Sequence, residues 1–227
     1  MSDESASLDS SLYLIMKNPR IILPFIFGII IGYILIYIFD LIISSANFLI
    51  RQHLTPVTLT LDSYAYFFIT TELMFFFTVF AIYWQSYASS DQVETNEFSV
   101  STTLSDTVSA IFTILFVSLF TSIIYVLFSI IPFIGSDIID PLFFASALIS
   151  VIISIYNKKG YVSNLIELPN SMYMFYKKEP VSGFILLIII LLFLVPNMLI
   201  DVLALLMLAI LGSILIKNLI DGKPKPS

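Results

Sequence analysis

Ile185-Leu186-Leu187-Ile188-Ile189-Ile190-Leu191-Leu192 is an unbroken aliphatic run, and it does not alternate. A membrane β-strand alternates apolar and polar side chains with period two, in segments of about ten residues. This run extends without a charge from Val181 to Val195. In hydrocarbon each backbone N–H and C=O has to be satisfied within the segment, which a helix achieves. The stretch therefore predicts a membrane helix, and the pattern recurs along the chain.

The composition agrees. Of 227 residues, 59% are hydrophobic and 11% charged, with a mean hydropathy of +1.01. Soluble domains carry about 25% charged residues, so a water-facing surface cannot be built from this chain. Apolar blocks of about 20 residues match the ~30 Å hydrocarbon core at 1.5 Å rise per residue. Six spans are expected: Ile21 to Asp40, with apolar continuation to Ile50; Tyr64 to Tyr87; Val108 to Ile131, ending at Pro132 and Gly135; Asp140 to Tyr156; Val181 to Val195; and Asp201 to Lys217. Asp140-Pro141 reads as an N-cap followed by proline at the first helical position. A single kinked helix from Val181 to Lys217 would be too long for the bilayer. The expected fold is an all-α polytopic membrane bundle of six transmembrane helices in three hairpins, with interfacial helices on the cytoplasmic side. Residues 1–227 then form one integral membrane domain: an amphipathic segment 1–20, spans within 21–217 and a tail 218–227.

Charge gives the threading. Lys17, Arg20, Lys158, Lys159, Lys177, Lys178, Lys217, Lys223 and Lys225 fall on one side of that layout, and Arg51 alone on the other. Basic residues in short loops mark the cytoplasmic face. Both termini are then expected in the cytoplasm of a cell membrane protein. The acidic start Met1-Ser2-Asp3-Glu4-Ser5 lacks the basic region of a signal peptide, so the first helix is expected to be retained. A net charge of −6 argues against nucleic acid as a partner. With no cysteine, thiolate metal sites and thiol nucleophiles are excluded.

A short motif repeats. Ser11-Leu12-Tyr13-Leu14-Ile15-Met16-Lys17-Asn18-Pro19 precedes the first span, and Ser171-Met172-Tyr173-Met174-Phe175-Tyr176-Lys177-Lys178-Glu179-Pro180 precedes the fifth. Phe98 to Thr107 holds the equivalent place before the third, without Lys and Pro. Each unit reads as an interfacial stretch followed by a helical hairpin. Leu8, Leu12, Ile15 and Met16 share one face of an amphipathic helix able to lie among headgroups. Ala88 to Thr107 and Asn157 to Pro180 read as polar cytoplasmic connections.

The N-terminal helix, Lys17-Asn18-Pro19-Arg20 and Leu23-Pro24 together resemble a group of uncharacterised archaeal six-helix membrane proteins. That group is similar to the membrane domain attached to some glycerophosphodiester phosphodiesterases. The resemblance implies a fold and no activity, and no phosphodiesterase catalytic domain is present.

Glu72, in Thr70-Thr71-Glu72-Leu73-Met74, lies mid-span, where an ionisable group usually faces a cavity or a partner. It is the candidate proton or cation site; the alternative is a hydrogen-bonded packing residue. Stripes of mostly small residues offer helix contacts: Gly28 and Gly32; Ser118, Ser122, Tyr125 and Ser129; Ser146, Ser150 and Ser154; Ala209 and Ser213. Close packing within the chain is the favoured reading, with a homodimer face or hydrophilic path as the other. Tyr64, Tyr66, Tyr83, Trp84 and Tyr87 bracket the second span as interfacial aromatics. Phe75-Phe76-Phe77 reads as lipid-facing or core. His53, alone beside Arg51, makes no zinc site. Lys158-Lys159 and Lys177-Lys178 either attract anionic headgroups or only enforce topology. HExxH, GxSxG, Walker and GxGxxG motifs are absent. The expected function is a non-enzymatic membrane component that organises lipids or partner proteins, or a membrane subunit of a larger assembly. A small transporter or channel using Glu72 is the alternative. No cofactor or metal is expected; the partners are the bilayer and other protein chains, including further copies of this one.

Overall fold

The computed structural model describes residues 12–13, 15–50, 56–95, 97, 99–130, 136–157, 159–195 and 198–221, with side chains left undescribed at 42–50, 56–64, 128–130, 136–138, 140, 198–199 and 221. Among the described residues every regular element is helical. A 3₁₀ turn, Pro19–Ile22, leads into α1 (Leu23–Ile50). There follow α2 (Pro56–Thr95), α3 (Val100–Ser109), α4 (Ile111–Ile130) and α5 (Ser136–Asn157). The short α6 (Tyr161–Ile166) and α7 (Leu168–Lys178) precede α8 (Pro180–Leu192). The last rod is α9 (Met198–Met207), a π-helical stretch Leu208–Gly212 and α10 (Ser213–Asp221).

Three helices are long and apolar enough to cross a membrane: Pro19–Leu41, Ala65–Thr95 and Ile200–Ile220. A fourth arises if α3 and α4, bent by 63° at Ala110, count as one span. Pro141–Asn157 and Pro180–Leu192 are shorter apolar helices. The outward side chains suit lipid. Phe27, Ile31, Ile34 and Ile38 on α1, and Phe112, Phe116, Leu119 and Ile123 on α4, are all exposed. Apolar patches of that extent are not left bare by water-soluble monomers.

The core is built around α5. Its residues 147–153 are all buried, Ser150 included, so protein surrounds this segment on every side. Helix α5 starts at Ser136, which places Pro141 inside the helix. The expected cap at Asp140 is therefore corrected: the helix has already begun a turn earlier. Pro141 is the sixth residue of the helix, so its missing N–H removes one bond of the second turn, to the carbonyl of residue 137.

Helix α2 also departs from expectation. It continues past Tyr87 to Thr95, so Ala88–Thr95 is helix rather than connection. At 40 residues it is roughly 60 Å long. Ser99 caps α3 by accepting from the Thr102 N–H at 3.5 Å, and α3 lies against α2. The Trp84 indole donates to the Thr103 hydroxyl at 3.1 Å. Trp84 and Tyr83 are buried, which corrects their reading as interfacial aromatics: α3 covers the Trp84 edge that lipid was expected to meet.

The segments with the repeated motif bury matching positions. Ile15 and Phe175 turn inward, while Tyr13 and Tyr173, Met16 and Tyr176, and Lys17 and Lys177 stay exposed. Leu12 is exposed, and Leu8 lies outside the described residues. Helix α6 is pinned by Tyr161, whose hydroxyl shares a hydrogen bond with Thr121 at 2.9 Å. Burial pushes the Tyr161 phenol up to about 12, partly offset by that bond.

Candidate functional site

Helix α1 meets α2 through its glycines. A Cβ on Gly28 would sit 2.7 Å from the Ala81 Cβ, and one on Gly32 would sit 2.6 Å from the Phe77 Cβ. The glycines are thus where two helix backbones approach most closely, and the contact lies within the chain. The pairing of 28 with 81 and 32 with 77 makes the helices antiparallel.

Glu72 projects from α2 toward α4. Ser118 Oγ donates to its Oε1 at 2.8 Å and Ser122 Oγ to its Oε2 at 2.5 Å. Each hydroxyl has one proton. The competing carbonyls of Leu115 and Leu119 lie farther off, at 3.1 Å. One turn of α4 spaces the serines to match the two carboxyl oxygens. The sequence reading had singled out Glu72 and these serines separately; the fold brings them together. The α5 serines behave differently. Ser150 donates to the Ser146 carbonyl within its own helix, whereas Ser154 meets both the Val151 carbonyl and the Tyr83 hydroxyl of α2.

A second polar feature is Thr71, Thr78, Gln85, Ser89 and Gln92. They alternate with Phe75 and Ile82 along one buried face of α2. The spacing of four and three is the heptad seam of a helix packed against neighbours, and it is visible in the sequence. Hydrogen bonds run from this seam across the bundle. Gln85 Nε2 donates to Ser89 at 3.3 Å, and Ser89 shares a bond with Ser213 at 2.9 Å, just beyond the π-helical stretch. Asn18 Nδ2 donates to Gln92 at 3.0 Å. Gln85 Oε1 and Ser86 Oγ are buried without a protein partner. At this end Lys217 Nζ pairs with Glu94 at 2.9 Å and lies 5.4 Å from the Tyr156 ring centroid.

Toward the opposite end opens a cavity of about 770 Å³ between α1, α2, α4, α5 and the α8–α9 connection. Thr71 and Thr78 line it, as does Gly32; Glu72 does not. Among the described residues Asp201 is the one charged residue in its wall. Phe144 stands in an aromatic chain, 5.4 Å from Phe75 and 5.7 Å from Phe193 between centroids, while Tyr125 meets Phe75 at 5.5 Å. Among the described residues no group of three His, Cys, Asp or Glu side chains is placed to hold a metal. His53, Arg51, Lys158, Lys223 and Lys225 lie outside the described residues.

Comparison with family models, with curated proteins and with solved structures finds no match to this chain.

Proposed function

We propose that this chain is a six-pass, non-enzymatic component of the cell membrane, with both termini in the cytoplasm, serving as the membrane subunit of a larger assembly. The observation that carries this reading is the state of Glu72. Both its carboxyl oxygens are occupied by serine hydroxyls of the adjacent helix, outside the cavity. A carboxyl group so engaged holds two helices together, whereas a transport site has to be free to exchange ligands.

Six passes are supported by which residues meet. Asn18 touches Gln92, Glu94 touches Lys217 and Lys178 donates to the Leu219 carbonyl, so these positions gather at one end. Tyr66 donates to Asp40 away from that end, and Phe144 packs on Phe193. Lys217 and Lys178 stand at the Asn18 end, as the basic-residue count expects. The short helices there, with Tyr13, Met16, Tyr173 and Tyr176 outward, suit a headgroup layer.

Purification from the native membrane in mild detergent tests the subunit reading. A stoichiometric protein partner is expected; a monodisperse single chain carrying none would overturn it. The transport reading is favoured by one observation, that the cavity reaches Thr71 beside Glu72. It requires flux in proteoliposomes that Glu72→Gln abolishes.

A further inference from the structure

We propose that the cavity bounded by Asp201 is a binding site for a membrane-borne amphiphile with a cationic, alkylammonium-type head. Its volume, about 770 Å³, falls within the range of ligand pockets. The wall is mainly apolar, and among the described residues no Lys, Arg or His contributes to it. Its single charge is the Asp201 carboxylate, which is exposed and has no ion-pair partner among the described residues. An anionic head would meet that carboxylate with nothing to compensate it.

Aromatic rings supply the second half of the recognition. Tyr33, Phe77, Tyr125, Phe144 and Phe193 all line the cavity. Ring faces attract ammonium groups, and aromatic enclosures are the recurring solution for quaternary amines. A carboxylate at the mouth and rings within therefore select for positive charge on an apolar body. From Thr71 to Thr78 the α2 wall alone is roughly 10 Å deep.

Entry is from lipid. Tyr33 and Val202 belong to the wall and are themselves exposed, next to exposed Ile34 and Leu203. The rim is thus continuous with the apolar outer surface. This site does not depend on whether the chain is a subunit of an assembly.

The test uses the full chain in phosphatidylcholine nanodiscs, titrated with a dansyl-tagged alkyltrimethylammonium probe and with the matching alkyl carboxylate. Saturable binding of the ammonium probe, at least roughly tenfold tighter than the carboxylate, is expected. Asp201→Asn should remove most of that preference. Leu205→Trp, which fills the cavity, should abolish saturable binding; Val202→Trp at the rim serves if circular dichroism shows that Leu205→Trp does not fold. Equal affinities for the two probes would overturn the proposal. So would a preference unchanged by Asp201→Asn, partition no different from protein-free discs, or binding that survives both tryptophans.

Discussion

Glu72 illustrates what a single residue can and cannot announce. A carboxyl group in the middle of an apolar run is conspicuous, because an unpaired polar group in hydrocarbon is costly. Its partners are not conspicuous, since they lie 46 and 50 residues away. Ser118 and Ser122 were legible only as small residues at helical spacing. Two hydrogen bonds to one acidic side chain make a sharp prediction. Glu72→Ala should lower stability by about 1 kcal/mol, because two buried hydroxyls lose their cross-helix acceptor and fall back on the Leu115 and Leu119 carbonyls of their own helix. Glu72→Gln, which keeps one acceptor oxygen, should cost less. Thermal melting in detergent checks both. If Glu72→Ala melts with the wild type, the bridge contributes nothing. The glycines make a second prediction at this scale. Gly32→Leu drives a side chain into Phe77, and overpacking of this kind costs roughly 1–3 kcal/mol. The same melt should register it, and an unshifted transition would mean that α1 moves aside freely.

Among the elements, α2 shows why a polar stretch was misread as a connection. Ala88 to Thr95 looks solvated because Ser89, Ser90, Asp91, Gln92 and Glu94 crowd together. In the fold its inner face is covered: Ser89 by Ser213, Gln92 by Asn18. Local composition carries no information about cover that arrives from both ends of the chain. The heptad spacing from Thr71 to Gln92 did carry it. Lys217 is the clearest tie at this end, buried against Tyr156 and joined to Glu94. Because Glu94 is half exposed, Lys217→Ala should cost only about 1–2 kcal/mol. Proteolysis of the C-terminal helix should accelerate accordingly, and an unchanged cleavage rate would show that the pair is idle.

The elbow between α6 and α7 carries a pH response. The bond from Lys159 holds the exposed Glu167 carboxyl below its ordinary value of 4.5. A carboxyl group depressed by folding stabilises the fold above its unfolded value, and that contribution disappears as pH falls through the folded one. The protection of the α6–α7 amides against exchange, taken relative to the intrinsic rate at each pH, should therefore fall on acidification below 4.5. Lys159→Ala should erase that extra acid sensitivity; its persistence would assign the effect to another group.

At the scale of the whole molecule, the sequence spoke clearly about class and less clearly about shape. Long apolar runs dictated helices. Hidden were the enclosure of residues 147–153 of α5, the bend at Ala110 and the docking of α3, each of which depends on neighbours distant in sequence. The absence of native cysteine makes the threading directly measurable. Asp201→Cys should react with a membrane-impermeant maleimide on intact cells, while Glu97→Cys should react only after lysis. The reverse pattern would invert the molecule, and labelling of both from outside would break the six-pass layout.

The serines also set an order of assembly. Ser150 bonds within its own helix, so its hydroxyl needs no neighbour when α5 enters lipid. Glu72 emerges 46 residues ahead of the first hydroxyl that will bind it. At a synthesis rate of roughly 5–20 residues per second, that leaves it waiting for a few seconds. During that interval the second helix has a reason to linger beside the insertion machinery.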